Sequence, residues 1–149
     1  MTTPKLKKLK RLTPKNKNKK DNSIRILYVE DTEVLRDTIS SLLEANGYTV
    51  SVAKNGQEGL AMVKKWNPHI VLMDLRMPGM DGYQAIEALK TNMYTKHIPV
   101  IVISAWSGKS ERTKAKLSGA DEFFAKPPDL GKLIKSIQRL VTESPYYDL

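Results

Sequence analysis

The chain has 149 residues, which suggests one domain; 40% are apolar, enough for one ordinary core, and there is no cysteine. Disulfides, thiolate metal sites and cysteine nucleophiles are therefore excluded. The net charge of +9 belongs almost entirely to residues 1–22, which hold nine Lys and Arg against one acid, Asp21, while the other residues hold sixteen bases and fifteen acids.

No apolar run approaches membrane-spanning length, and the N-terminus lacks an apolar signal-peptide stretch, so a cytoplasmic location is expected. The first segment, MTTPKLKKLKRLTPKNKNKKDN, combines Pro4, Pro14 and a Lys/Asn run with little apolar surface, and is expected to be a disordered basic tail. Leu6, Leu9 and Leu12 recur every third residue, so KLKKLKRL could lie on nucleic acid or an anionic membrane; a solvated tail is the simpler reading.

From residue 23 two kinds of segment alternate. IRILYV (24–29) is a short β-branched run and predicts a strand. Thr32 to Asn46 carries Leu35, Ile39, Leu42 and Leu43 at helical spacing, with Gly47 as a stop. TVSVA (49–53) is a second strand. Asn55 caps a helix through Trp66, with Glu58 as its partner three residues on. HIVLM (69–73) is a third strand, and Asp81 can cap a helix holding Ile86 and Leu89. PVIVIS (99–104) is the most apolar strand. Ser107 to Leu117 predicts a helix ended by Gly119, DEFFA (121–125) a fifth strand, and Asp129 caps a last helix with Leu130, Leu133, Ile134, Ile137, Leu140 and Val141. His69 and His97 have no metal-ligand spacing, and Asn55-Gly56 is not followed by a phosphate-loop pattern.

Strands that alternate with helices pair in parallel through right-handed crossovers, which predicts a three-layer, doubly wound α/β sandwich, (βα)5. Ligands in such sheets bind beyond the carboxyl ends of the strands. There the chain offers Glu30 and Asp31 after the first strand, Asp74 after the third, Ser104 and Ala105 at the end of the fourth, and Lys126 followed by Pro127 after the fifth. Three carboxylates that meet in one pocket must take up protons or be neutralised by a cation. Oxygen ligands without His or Cys suit Mg²⁺ (or Mn²⁺). Lys126, the Ser104 hydroxyl and the Ala105 backbone N–H could then hold a phosphoryl group, with Asp74 as the nucleophile of an aspartyl phosphate.

ILYVED (26–31), VLMDLRMPGMDG (71–82), VIVISA (100–105) and GADEFFAKP (119–127) together resemble the four signature stretches of the response-regulator receiver domain of two-component signalling, in order and spacing, over residues 24 to 141. The resemblance implies a flavodoxin-like fold with strand order 2-1-3-4-5. It implies that Asp74 is the phosphoacceptor, Asp31 a direct metal ligand, and Glu30 an acid that reaches the metal mainly through water. Arg76 would offer its backbone carbonyl to the metal. Ser104 would be the switch hydroxyl, Phe123 the switch aromatic, and Lys126 the phosphate-binding lysine, with a cis bond to Pro127.

The implied partners are a histidine kinase or histidine phosphotransfer protein as donor. A downstream protein would dock on the face made by the fourth helix, fifth strand and fifth helix. The chain would promote only its own phosphorylation and dephosphorylation. Residues 23–143 would form the receiver domain, between the tail at 1–22 and a short tail at 144–149, with no output domain. The fourth helix, SGKSERTKAKLS, has only Ala115 and Leu117 as apolar residues, so a loosely held, basic docking face is expected. Arg76 and Trp106 match positions that flank the attacking water, and their bulk predicts a slow-decaying phosphoryl group. The competing expectations are a degenerate receiver used as a constitutive interaction module and a Mg²⁺-dependent aspartyl-phosphate phosphatase of the haloacid-dehalogenase type. The module should lack a corner of the pocket; the phosphatase should carry an acid where Arg76 stands.

Overall fold

Alternating apolar runs and amphipathic helices fold as a parallel sheet covered on both faces. The computed structural model describes residues 23–146; the expectations for residues 1–22 and 147–149 lie outside the described residues. In chain order the elements are β1 (Arg25–Val29), α1 (Glu33–Ala45), β2 (Thr49–Ala53), α2 (Gly56–Trp66), β3 (Ile70–Met73), α3 (Gly82–Thr91), β4 (Val100–Ser104), α4 (Lys109–Ser118), β5 (Glu122–Ala125) and α5 (Leu130–Glu143). The sheet runs β2-β1-β3-β4-β5 with every pairing parallel. None of the described helices is long and apolar enough to cross a membrane.

The strand period of two divides the core. Leu27, Val29, Val71, Met73, Val100 and Val102 face Val63 of α2, Ala85, Ile86 and Leu89 of α3, and Ala115 of α4. Ile26, Tyr28, Ile70, Leu72, Ile101 and Ile103 face Ile39 and Leu43 of α1 and Leu133, Ile137 and Val141 of α5. β1, β3 and β4 are buried on both faces, which is why their sequences are continuous apolar runs rather than alternating ones.

Side-chain caps set the starts of α2, α3 and α5. Asn55 accepts from the Glu58 backbone N–H at 2.8 Å, and Asp129 accepts from Lys132 at 2.9 Å. At α3 the box is reciprocal: Asp81 accepts from the Gln84 N–H at 2.9 Å, and Gln84 accepts from the Asp81 N–H at 3.2 Å. The same box is incomplete at α2, where Glu58 turns to the N–H of Lys54 at 3.4 Å instead.

Some sequence expectations shift. Leu42, at core spacing in α1, is exposed, and buried Ser40 stands beside Ile39 on the inner face. β1, β3, β4 and β5 each begin one residue later than their apolar runs; at β3, His69 Nδ1 accepts from the Arg25 backbone N–H at 2.9 Å.

Candidate functional site

The hydrogen-bond ladder continues one residue past the strands, and this carries the polar side chains to the sheet's carboxyl edge. The N–H of Glu30 donates to the Ala53 carbonyl at 3.0 Å, that of Asp74 to Val29 at 3.0 Å, and that of Lys126 to Ser104 at 2.9 Å. A side chain placed by backbone pairing in a buried sheet has little freedom to wander.

The loop after β3 is held as tightly. The N–H of Gly82 donates to the Leu75 carbonyl at 2.9 Å. A Cβ at Gly82 would strike the carbonyl oxygen of Asp74 and the Cα of Leu75, so only glycine lets α3 start this close to the site. Gly79 sits at φ +81°, in the left-handed region, and turns the chain between Pro78 and Met80.

Glu30, Asp31 and Asp74 each present a carboxylate oxygen within 4.8 Å of the others. Glu30 is fully buried, Asp74 is 4% exposed and Asp31 faces solvent. Lys126 reaches in from the end of β5, with its Nζ 2.5 Å from Glu30 Oε1 and 3.4 Å from Asp74 Oδ2. The Lys126–Pro127 peptide is cis. Ser104 is buried and its Oγ accepts from the Trp106 backbone N–H at 3.1 Å. Ala105 follows it and is exposed. The N–H of Arg76 points at Asp74 Oδ1 at 3.5 Å. Phe123 is half-buried on the α2–α3–α4 side of the sheet, with the Arg112 guanidinium 4.6 Å above its ring.

Two contributors were not among the residues read from the sequence. Arg36 of α1 donates to the backbone carbonyls of Glu30 at 3.0 Å and Asp31 at 3.2 Å, pinning the loop that presents both acids. Tyr28 donates its hydroxyl to Glu30 Oε1 at 3.3 Å. Strand alternation puts Tyr28 and Glu30 on one face, which is the one clue a reader of the sequence would have had.

The electrostatics are unbalanced. Among the described residues one ammonium, that of Lys126, pairs with two of the three carboxylates. Burial, then the neighbouring Asp74, pushes Glu30 above the usual carboxylate range, and Lys126 offsets only part of this. Burial and Glu30 push Asp31 up as well. Burial, with Glu30 and Asp74 adding to it, pushes the Tyr28 phenol far up, so it stays a donor. Glu30 Oε2 is buried without a hydrogen-bond partner. Excess negative charge, an orphaned buried carboxylate oxygen and an all-oxygen donor set suit a hard divalent cation.

A bulky pair stands at this edge. The Arg76 guanidinium lies over the Trp106 ring, joining the β3–α3 loop to the β4–α4 loop.

Comparison with known proteins agrees with this geometry. The family described as response regulator receiver domain matches residues 26–138. PilH of Pseudomonas aeruginosa is 34% identical over 117 residues, 78% of this chain and 97% of PilH. The response regulator PleD of Caulobacter vibrioides is 40% identical over 118 residues, 79% of this chain, but this chain spans only 26% of PleD. Among solved structures, the Vibrio cholerae chemotaxis protein CheY4 is 27% identical with a TM-score of 0.74, covering 79% of this chain and 98% of that one. The receiver domain of a Pseudomonas aeruginosa sensor histidine kinase, solved with a magnesium ion coordinated in its active-site cleft, is 26% identical with a TM-score of 0.76, covering 81% and 99%.

Proposed function

Since this chain belongs to the response regulator receiver family, we propose that Asp74 accepts a phosphoryl group from a histidine kinase or histidine phosphotransfer protein and that the phosphorylated chain signals by docking to a downstream protein. The observation that carries the assignment to Asp74 is its position: a buried carboxylate of the acidic cluster, 3.4 Å from the Lys126 ammonium.

In this reading an Asp74 oxygen attacks phosphorus in line with the leaving imidazole of the donor. The P–N bond breaks, its electron pair stays on the departing nitrogen, and an acyl phosphate forms. Lys126, already within reach of Asp74 Oδ2, takes a phosphoryl oxygen, and the Ser104 hydroxyl and Ala105 N–H donate to others. Asp31 and Asp74, with the Arg76 carbonyl and a water held by Glu30, would hold Mg²⁺ or Mn²⁺. The ion would neutralise charge on the phosphoryl oxygens.

Phosphorylation adds charge where Lys126 and Ser104 converge. Ser104 moves toward it, Phe123 turns into the space released, and the α4-β5-α5 face changes shape. α4 is built to move: Ala115 is its only buried residue, and Arg112 over Phe123 substitutes for apolar contact. We assign the receiver domain to residues 23–143 and the work of the chain to the cytoplasm. Arg76 stands where a haloacid-dehalogenase-type phosphatase needs its second acid, and all corners expected of an active receiver are filled, so neither alternative is favoured.

Incubation with acetyl phosphate and Mg²⁺, followed by peptide mapping of the modified residue, tests the assignment. One phosphoryl group on Asp74, lost with EDTA and in Asp74→Asn, is the expected result. A label elsewhere, or none in the presence of Mg²⁺, would overturn it.

A further inference from the structure

Beside the acidic cluster, a groove of about 480 Å³ opens between the β3–α3 loop, the start of α3 and α4. Met77 and Pro78 lie along it, the rings of Tyr83 and Trp106 stand at its sides, and Arg76 and Lys114 supply its positive charge. The size falls in the range of binding clefts, and the mixture of apolar floor, aromatic walls and few charges is typical of them. Lys114 of α4 lines it, but no residue of β5 or α5 does.

Its two cations are free to meet a ligand. Among the described residues neither Arg76 nor Lys114 forms an ion pair; each instead rests on an aromatic ring of the groove, Arg76 on Trp106 and Lys114 Nζ 4.3 Å from the centre of Tyr83. The acid that lines the groove, Asp81, is occupied as the cap of α3. Leu117, one turn beyond Lys114 on the same side of α4, is 83% exposed and extends the apolar surface.

The groove is also wired to the phosphoacceptor. The backbone N–H of Trp106 donates to Ser104 Oγ at 3.1 Å, and that of Arg76 points at Asp74 Oδ1 at 3.5 Å. Both site groups thus touch the backbone of residues that line the groove, which is the contact through which a change at Asp74 would reach it.

We propose that the α3–α4 groove is a docking site for an acidic protein segment bearing an aromatic or long aliphatic side chain, and that the phosphorylation state of Asp74 modulates its affinity. Carboxylates of the segment pair with Arg76 and Lys114, and its apolar side chain enters between Tyr83 and Trp106 over Met77. The coupling to Asp74 rests on the phosphoacceptor reading above; the docking site itself does not.

The test is a titration of the ¹⁵N-labelled full chain with the peptide EELEFEE and its reverse-charge counterpart KKLKFKK. The basic N-terminal stretch attracts any polyanion, so the readout must be local: the Trp106 indole N–H and the Tyr83 and Lys114 amides. The acidic peptide should shift these signals saturably, the basic one should not, and Lys114→Glu should weaken binding by about five- to tenfold. No saturable shift, equal shifts with both peptides, or unchanged affinity in Lys114→Glu would overturn the docking site. The titration is then repeated after acetyl phosphate and Mg²⁺, with labelling of Asp74 quantified separately by mass spectrometry. An affinity change of about threefold or more supports the coupling. Full labelling with no change overturns the coupling alone. Binding of the peptide by a chain whose Asp74 takes no label overturns the phosphoacceptor reading and leaves the docking site standing.

Discussion

Lys126 holds together charges that otherwise repel. It reaches Glu30 at 2.5 Å and Asp74 at 3.4 Å from a largely buried position. Removing one partner of a buried pair leaves the other's charge without compensation, typically at about 3–5 kcal/mol. Lys126→Met should therefore lower stability in metal-free buffer at pH 7 by about that amount. Glu30 is already above its ordinary range and would rise further without the lysine, so the loss should shrink as pH falls and Glu30 takes up a proton. Urea unfolding at pH 7 and pH 5 measures this; equal losses at both values would contradict it. Arg76 and Trp106 bear on the lifetime of the phosphoryl group. The two side chains stack on each other at positions that the family resemblance places beside the attacking water, and we expect the stack to slow attack by water on the acyl phosphate. The double variant Arg76→Ala, Trp106→Ala should shorten the phosphoryl half-life by about tenfold, equivalent to about 1.4 kcal/mol of barrier. An unchanged decay, followed by loss of label after removal of the donor, would rule the shield out.

Elements are positioned by details that periodicity does not carry. The start of α3 depends on Gly82, where any Cβ meets backbone rather than a yielding side chain. Gly82→Ala should cost about 1–3 kcal/mol and lower the rate of Asp74 phosphorylation, because the obstruction is the Asp74 carbonyl itself. Normal stability and normal labelling would show that the loop tolerates the shift. At the opposite sheet edge, His69 Nδ1 can accept from Arg25 N–H only while the imidazole is neutral. Burial, then Arg25, lowers its affinity for protons. A lowered native value means that this contribution is complete above about pH 6.5 and is lost as pH falls through that native value. His69→Asn keeps an acceptor without the titration, so its unfolding midpoint should fall less than the wild type's between pH 7 and pH 5. Parallel pH profiles would remove His69 as the cause.

At the scale of the whole molecule, the alternation of apolar runs and capped helices made a parallel sheet legible, since buried strands must be continuously apolar and each crossover needs a helix. The residues at the strand ends were legible for the same reason: once the strands are known, Glu30, Asp31, Asp74, Ser104 and Lys126 must share one edge. The strand order came only from resemblance, because five apolar runs do not say which lies beside which. Leu42 misled because helical spacing defines a stripe wider than the buried face. Arg36 on the acid loop and Arg76 on Trp106 were not legible as contacts; both depend on loop geometry. The central claim is that this edge forms one acidic, cation-binding cup around an aspartate that takes phosphorus. A crystal structure of the full chain grown with Mg²⁺ and beryllofluoride, a phosphoryl mimic, tests it most directly. Beryllium should bond to an Asp74 carboxylate oxygen, with Lys126 and Ser104 against its fluorines and Mg²⁺ on Asp31. Beryllofluoride bound elsewhere, or Mg²⁺ bound away from Asp31 and Asp74, would contradict it.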